Sequence, residues 1–363
     1  MTTAGPIRVL IVDDSAVVRG ALGRILDGAG DITVVTTAPN GQLALDALKH
    51  CEVDVVLLDI EMPVMDGIST LPRILAAHPS VRVIMASSLT QQGAAITMQA
   101  LALGAADYIA KPSARVGAVG LASVAGEIVA KVRAIGQARR AGNGVPAQPV
   151  RPAPRAAHAS ILVTSPESVS APRVLAIAAS TGGPNALAEV LAGLPRDYGL
   201  PTIITQHMPP VFTALLAQRL QRDTGRECVE ARDGEAVRSG CTYIAPGDYH
   251  LIVQTHEGQP ILRLQQSPPE NHCRPAADPM FRSIAAVYGA STLAVVLTGM
   301  GEDGRRGCEA IRDRGGRIIA QDEATSVVWG MPGAVTQAGL ARWVLPLPDI
   351  ASRIASLSLA GAA

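Results

Sequence analysis

The sequence predicts two doubly wound α/β units in series, each built on a mostly parallel sheet. Three observations carry that expectation. Short β-branched runs alternate with stretches of helical periodicity from Ile7 to about Gly136, and again from Arg173 to the C-terminal IASRIASLSL. Most of those runs are apolar at every position, as strands become when helices cover both faces of a parallel sheet. Between the two stretches, Ala138 to Ala171 has no periodicity and carries Pro146, Pro149, Pro152, Pro154 and Pro166, the composition of a linker extended about its prolines. The expected units are therefore residues 1–137 and 172–363, joined by a linker over 138–171.

Taken in order, the first unit offers the strands IRVLIV, DITVV, VDVVLL, VRVIMA and ADYIA. Between them lie VVRGALGRILDGAG, GQLALDALKHC, ISTLPRILAAH and TQQGAAITMQALALGA, each with apolar residues at helical spacing. Five strands so interleaved make a (βα)5 domain, for which a flavodoxin-like strand order is expected. The second unit opens with RVLAIAAS and continues through PTIITQH, STLAVVLTGMGEDG and RIIA, with LIV after His250 as a further strand.

Composition narrows the function classes. The 363 residues exceed one ordinary core, and 31 basic against 31 acidic side chains leave no net field to draw nucleic acid or an anionic membrane. The five cysteines (Cys51, Cys228, Cys241, Cys273, Cys308) form no CxxC pair and no zinc spacing. Their odd, scattered placement predicts reduced thiols. The start MTTAGPIRVL lacks the basic-then-apolar pattern of a signal peptide, and no apolar run approaches the roughly 18–20 residues of a membrane span. A cytoplasmic monomer without membrane insertion is expected.

Chemistry gathers first at strand ends. Asp13 and Asp14 follow IRVLIV, Asp59 follows VDVVLL and Lys111 follows ADYIA. The carboxyl ends of parallel strands share one edge, so these side chains should meet in one crevice. Three carboxylates that close repel one another unless a cation intervenes, and Mg²⁺ with its taste for carboxylate oxygens suits the place. The bland alternative is that each aspartate caps its following helix. DDS at 13–15, LLDIEMPVMDG at 57–67, ASS at 86–88 and DYIAKP at 107–112 resemble the receiver domain of bacterial response regulators. That resemblance implies that Asp59 accepts a phosphoryl group from a chemotaxis histidine kinase. It also implies a Mg²⁺ site of Asp13, Asp14, Asp59 and the backbone carbonyl of Glu61. Ser87 and Lys111 would touch the phosphoryl oxygens, and Tyr108 would report the switch.

The second unit opens on a strand that runs into Ser180-Thr181-Gly182-Gly183-Pro184 and then a helix. Ala178-x-Ser180-x-Gly182 is close to the GxSxG nucleophile elbow, with alanine in the first glycine place. Ser180 as a mere helix cap is the competing reading. A serine nucleophile needs a base and an orienting acid. His207 ends the strand PTIITQH, with His250 and His272 as rivals, and Asp303 follows the strand STLAVV. The order Ser…His…Asp differs from the Ser…Asp…His of ordinary α/β hydrolases, so geometry decides. Gly299-Met-Gly301-Glu-Asp-Gly304 also spells GxGxxG, with Asp322 after the next strand where a ribose-binding acid belongs. Glu302 and Asp303 inside a loop that must cradle a pyrophosphate count against a nucleotide.

AASTGGP, TQHMPP, NHCRPAADPMF, LTGMGEDG and AQDEATSVVWGMPGAV resemble the catalytic domain of the chemotaxis protein-glutamate methylesterases, CheB-type. The resemblance spans about Arg173 to Asp349, and the receiver-then-esterase order matches the family. It implies Ser180 as nucleophile, His207 as base and Asp303 as orienting acid, with Met300 and Thr181 supporting the oxyanion. The implied substrates are glutamate γ-methyl esters of methyl-accepting chemoreceptors, and the resemblance also implies deamidation of receptor glutamines. No cofactor is implied for the ester hydrolysis.

Overall fold

The computed structural model describes residues 5–88, 90–112, 118–142 and 170–359. Contacts divide the chain into two compact units, residues 1–145 and 146–363, and each is described by itself.

The first unit runs β1 (Ile7–Val12), α1 (Ala16–Asp27), β2 (Ile32–Ala38), α2 (Gly41–Leu48), β3 (Val55–Asp59), α3 (Gly67–Ala77), β4 (Arg82–Ser87), α4 (Gln91–Ala102), β5 (Asp107–Ala110) and α5 (Ala118–Arg140). The five strands form one parallel sheet in the order β2-β1-β3-β4-β5, the flavodoxin-like order. Every residue of β3 and β4 is buried, which is why their sequences are continuous and not alternating. Four helices start at polar caps: Ser15, Asn40, Asp66 and Thr90 accept from the backbone N–H of Val18, Leu43, Ser69 and Gly93. Capping therefore falls to Ser15 and Asp66, which frees Asp13 and Asp59 from that duty.

Helix α5 continues to Arg140, three residues into the stretch read as linker. The cause is Asp54, fully buried before β3, on which Arg139 and Arg140 both close. Residues 143–169 of the expected linker lie outside the described residues.

The second unit runs β6 (Val174–Ala179), α6 (Gly183–Gly193), β7 (Thr202–Gln206), α7 (Phe212–Thr224), β8 (Cys228–Glu230), β9 (Thr242–Ile244), β10 (His250–His256), β11 (Gln259–Gln265), α8 (Ala277–Tyr288), β12 (Thr292–Val296), α9 (Arg305–Asp313), β13 (Arg317–Gln321), α10 (Met331–Gln337), β14 (Trp343–Leu345) and α11 (Leu347–Leu359). Seven strands form a parallel sheet in the order β14-β13-β12-β6-β7-β9-β8. Strands β10 and β11 stand apart as an antiparallel hairpin. Its two-residue turn puts Glu257 at φ 50° and Gly258 at φ 78°, the left-handed pair that matches strand twist. The sequence suggested the strand LIV but not this hairpin, and β10 begins at His250 itself.

Ala176 and Ala178 of β6 pack in one core cluster with Phe281 and Ile284 of α8, Val296 of β12 and Ile311 of α9. Small residues on the central strand let those helices approach closely. The strand order reverses at β6: the chain leaves it towards β7 and later returns on its other side as β12. Such a switch point opens a crevice beyond the carboxyl ends of the strands.

Candidate catalytic and phosphoacceptor sites

Register builds the catalytic crevice. Ala179 of β6 pairs with Gln206 of β7, so the next residues, Ser180 and His207, leave adjacent strands side by side, about 4.8 Å apart as neighbouring strands are. On the other flank Ser180 N donates to Thr298 O at 3.0 Å, which brings the loop after β12 against the serine. That approach requires Gly299, where an added Cβ would lie 2.8 Å from the Ser180 Cβ. Gly182 caps α6 at φ +79° with no side-chain cap bond, so Ser180 does not serve as the helix cap. The hydrogen bonds of Ser180 run through its backbone: its carbonyl accepts Gly183 N at 2.8 Å and Gln206 Nε2 at 2.9 Å. Among the described residues its hydroxyl has no partner. The backbone N–H groups of Thr181 and Met300, the residues expected to support an oxyanion, are likewise without an acceptor among the described residues.

His207 and Asp303 are brought together. The imidazole Nε2 lies 2.7 Å from Asp303 Oδ2, and Asp303 is buried. Burial alone would raise the Asp303 pKa. The His207 contact, the N–H of Ala277 at 2.5 Å and the Asn271 amide at 2.8 Å outweigh it and hold the carboxyl below its ordinary range. For His207 burial works to lower the pKa, but the Asp303 hydrogen bond and then the Cys273 contact win, and the imidazole is raised. The structure does not join Ser180 to His207 by a hydrogen bond; Nδ1 of the ring instead faces Cys273 Sγ at 3.5 Å.

The rival histidines are placed elsewhere. His250 is fully buried with both nitrogens engaged, Nε2 by Pro268 O and Nδ1 by Ala276 N. His272 is exposed at a positive φ. Asp322 accepts from Thr325 N and Oγ1, so it closes a turn, and Asp303 points into the crevice. That leaves the GxGxxG loop without its ribose acid.

Several supporting residues escaped the sequence. Asn271 bridges Asp303 and Asp278 with one amide. Asp278, whose pKa is raised first by burial and then by the Asp303 charge, accepts Gly307 N at 2.7 Å. Gln206, 2 % exposed, ties the backbones of Ser180 and His207. Asn271 and Asp278 lie within the motif NHCRPAADPMF, but their contact with Asp303, 32 and 25 residues on, is a product of the fold.

In the first unit, Asp13, Asp14 and Asp59 bring ligand atoms within 4.8 Å of one another. Lys111 Nζ reaches Asp59 Oδ1 at 2.6 Å and Asp13 Oδ2 at 3.0 Å. Burial raises the Asp59 pKa, Lys111 opposes it, and Asp13 adds to the rise. Lys111 is raised because its two aspartates overcome its own burial. Asp59 Oδ2 is buried and accepts no hydrogen bond, so the donor set fits a hard divalent cation. Glu61 lines the cleft beside Asp14. Ser87, 1 % exposed, ends β4 but accepts Thr97 Oγ1 at 2.7 Å and is turned to Gly93 O. The Tyr108 ring is buried under Lys131 Nζ, 4.8 Å from its centroid.

Comparison with known proteins covers both units. The CheB methylesterase family pattern matches residues 175–354, and the response regulator receiver domain pattern matches residues 9–118. A protein-glutamate methylesterase/protein-glutamine glutaminase of Paramagnetospirillum magneticum is 51% identical over 97% of this chain and 96% of its own length. One from Azospirillum brasilense is 49% identical over 95% and 91%. The crystal structure of the Thermotoga maritima CheB methylesterase catalytic domain, 41% identical, covers 51% of this chain and 98% of its own, with a TM-score of 0.50. With such identity over nearly the whole of both chains, the protein belongs to the protein-glutamate methylesterase/protein-glutamine glutaminase family, a CheB methylesterase domain preceded by a response regulator receiver domain.

Proposed function

We propose that Ser180, His207 and Asp303 hydrolyse glutamate γ-methyl esters on methyl-accepting chemoreceptors, within a catalytic domain of residues 172–363. The observation that carries this reading is the 2.7 Å His207–Asp303 contact beside a serine on the next strand. Asp303 fixes the proton on Nε2 of the neutral ring and leaves Nδ1 as the acceptor. Ser180 Oγ attacks the ester carbonyl while its proton passes to Nδ1. The tetrahedral oxyanion is met by the free N–H groups of Met300 and Thr181, a contribution of roughly 3–4 kcal/mol per donor in a comparable hydrolase. Collapse breaks the C–O bond, methoxide takes the proton from Nδ1 and leaves as methanol, and water cleaves the acyl-enzyme by the same steps. Glutamine deamidation is the parallel reaction with ammonia leaving.

Phosphorylation of Asp59 by a chemotaxis histidine kinase regulates that activity. Asp13, Asp14, Asp59 and the Glu61 carbonyl would hold Mg²⁺, which when bound supplies neutralising charge. Lys111 already spans Asp59 and Asp13 and steadies a dianion there. To donate to a phosphoryl oxygen, the Ser87 hydroxyl would turn away from the Ser88 and Gly93 carbonyls that it now reaches. Tyr108 reads out the change beside it. Among the described residues no helix is long and apolar enough to cross a membrane. The proposed setting is a cytoplasmic monomer acting on the receptors' cytoplasmic helices.

Ser180→Ala is expected to abolish methanol release from methylated receptor while Asp59 phosphorylation proceeds as in the native chain. Undiminished methanol release from that variant refutes the assignment.

A further inference from the structure

Among the described residues the His207 imidazole has two polar neighbours, Asp303 and Cys273, and only Asp303 belongs to the proposed esterase machinery. Nδ1, the nitrogen that must take the Ser180 proton, lies 3.5 Å from Cys273 Sγ. Cys273, His207 and Asp303 therefore stand in line as thiol, base and acid, the arrangement in which a base generates a thiolate.

The sulfur is held there by a built loop. Glu270 and Cys273 exchange two backbone hydrogen bonds, of 3.1 and 2.9 Å. Asn271 and His272 between them adopt left-handed φ values of 50° and 64°. The loop is anchored at both ends: Arg282 grips Glu270 through two contacts, and the Asn271 amide reaches Asp303. One loop thus orients the acid and presents the thiol to the base.

The other thiols are differently placed. Cys228, Cys241 and Cys308 are buried, and burial raises each of them, Cys228 to about 11. Cys51, like Cys273, is only partly covered, but among the described residues no imidazole or cation touches its sulfur.

We propose that Cys273 is a reactive thiol served by His207, a site for hydroperoxides and other soft electrophiles whose occupation turns the esterase off. The loss of activity rests on the Ser180–His207–Asp303 reading; the thiol reactivity does not. With a hydroperoxide, the sulfur attacks the terminal oxygen, the S–O bond forms and the O–O bond breaks. Sulfur is oxidised by two electrons to sulfenic acid, and the peroxide is reduced to an alcohol or water that takes its proton from His207. The adduct fills the space at Nδ1 that the serine proton must enter, and a thiol reductant restores the free cysteine.

Limiting iodoacetamide on the full chain at neutral pH, followed by peptide mass mapping, tests this. Cys273 is expected to alkylate about tenfold or more faster than Cys51, with His207→Gln slowing it to the Cys51 rate. Methanol release should fall in proportion to Cys273 labelling, and whatever turnover Cys273→Ala retains should survive the treatment. Hydrogen peroxide should produce a loss that dithiothreitol reverses. Labelling of Cys273 no faster than Cys51, or full turnover in a fully alkylated chain, overturns the proposal. Methanol release by Ser180→Ala would sink the serine assignment alone, because the labelling comparison does not depend on it.

Discussion

At the scale of single residues, the chemistry turns on how much charge surrounds one imidazole. On the proposed mechanism only the neutral ring accepts the Ser180 proton, so the esterase should work above the His207 pKa and fail below it. Burial lowers that pKa, but Asp303 and Cys273 raise it further than burial lowers it. The sign is therefore settled: the acid limb of kcat/KM should sit above the ordinary imidazole value of about 6.5. Activity rises with pH through that limb. Cys273→Ala removes one of the raising contacts and should move the limb to lower pH. Asp303→Asn removes the larger one, and in a comparable triad that change costs about 10⁴ in kcat by leaving the wrong tautomer. A pH profile of methanol release from methylated receptor checks the first two expectations; an acid limb below the ordinary value, or one unmoved by Cys273→Ala, would show that these contacts do not set the base.

At the scale of elements, charge also fixes where a helix ends. Asp54 is buried and takes Arg8 through its backbone N–H at 2.9 Å and its guanidinium, with Arg139 and Arg140 closing from the end of α5. Burial acts to raise the Asp54 pKa, yet the arginines bring it down to about 2. A carboxylate depressed in the folded state stabilises above its unfolded pKa and loses that contribution as pH falls through the folded one. Allowing for solvent around the arginines, Asp54→Asn should lower the unfolding free energy of the first unit by about 1–2 kcal/mol at neutral pH. The difference from the native chain should shrink between about pH 4 and pH 2. Urea titrations of both proteins across that range measure it, and a difference constant with pH would mean that packing, not ionisation, carries the effect. This pairing also shows what the sequence withheld. Apolar periodicity made all five strands of the first unit and their order legible, because continuous runs such as VDVVLL can be buried only one way. The convergence of His207 and Asp303 beside Ser180 was legible because each follows a strong strand. The end of α5 was not, since Arg139 meets Asp54 across 85 residues and no local pattern encodes that. The β10–β11 hairpin was missed because Glu257-Gly258 is a weaker turn signal than Asn-Gly. Cys273 was visible only as a scattered thiol until the fold set it against His207.

At the scale of the whole molecule, a phosphoacceptor in one unit and a nucleophile in the other have to communicate. A modification shifts an equilibrium only by its differential affinity for the two states. The proposed regulation through Asp59 would therefore require that the receiver domain engage the catalytic domain differently before and after phosphorylation. Covalent linkage makes any contact between the two domains intramolecular, so under the occlusion reading even a weak one would suffice to cover the crevice. Phosphorylation would need to weaken that contact by only about 1.4 kcal/mol per tenfold gain in open enzyme. On this account the fragment from Arg173 onward, which corresponds to the catalytic domain seen on its own in the Thermotoga maritima structure, should turn over faster than the unphosphorylated full chain. A small-molecule phosphodonor with Mg²⁺ should lift the full chain towards the fragment, and Asp59→Asn should stay at the low rate. Methanol release from methylated receptor under each condition is the measurement. A fragment no faster than the unphosphorylated chain would rule out simple occlusion and require the receiver domain to activate the crevice directly.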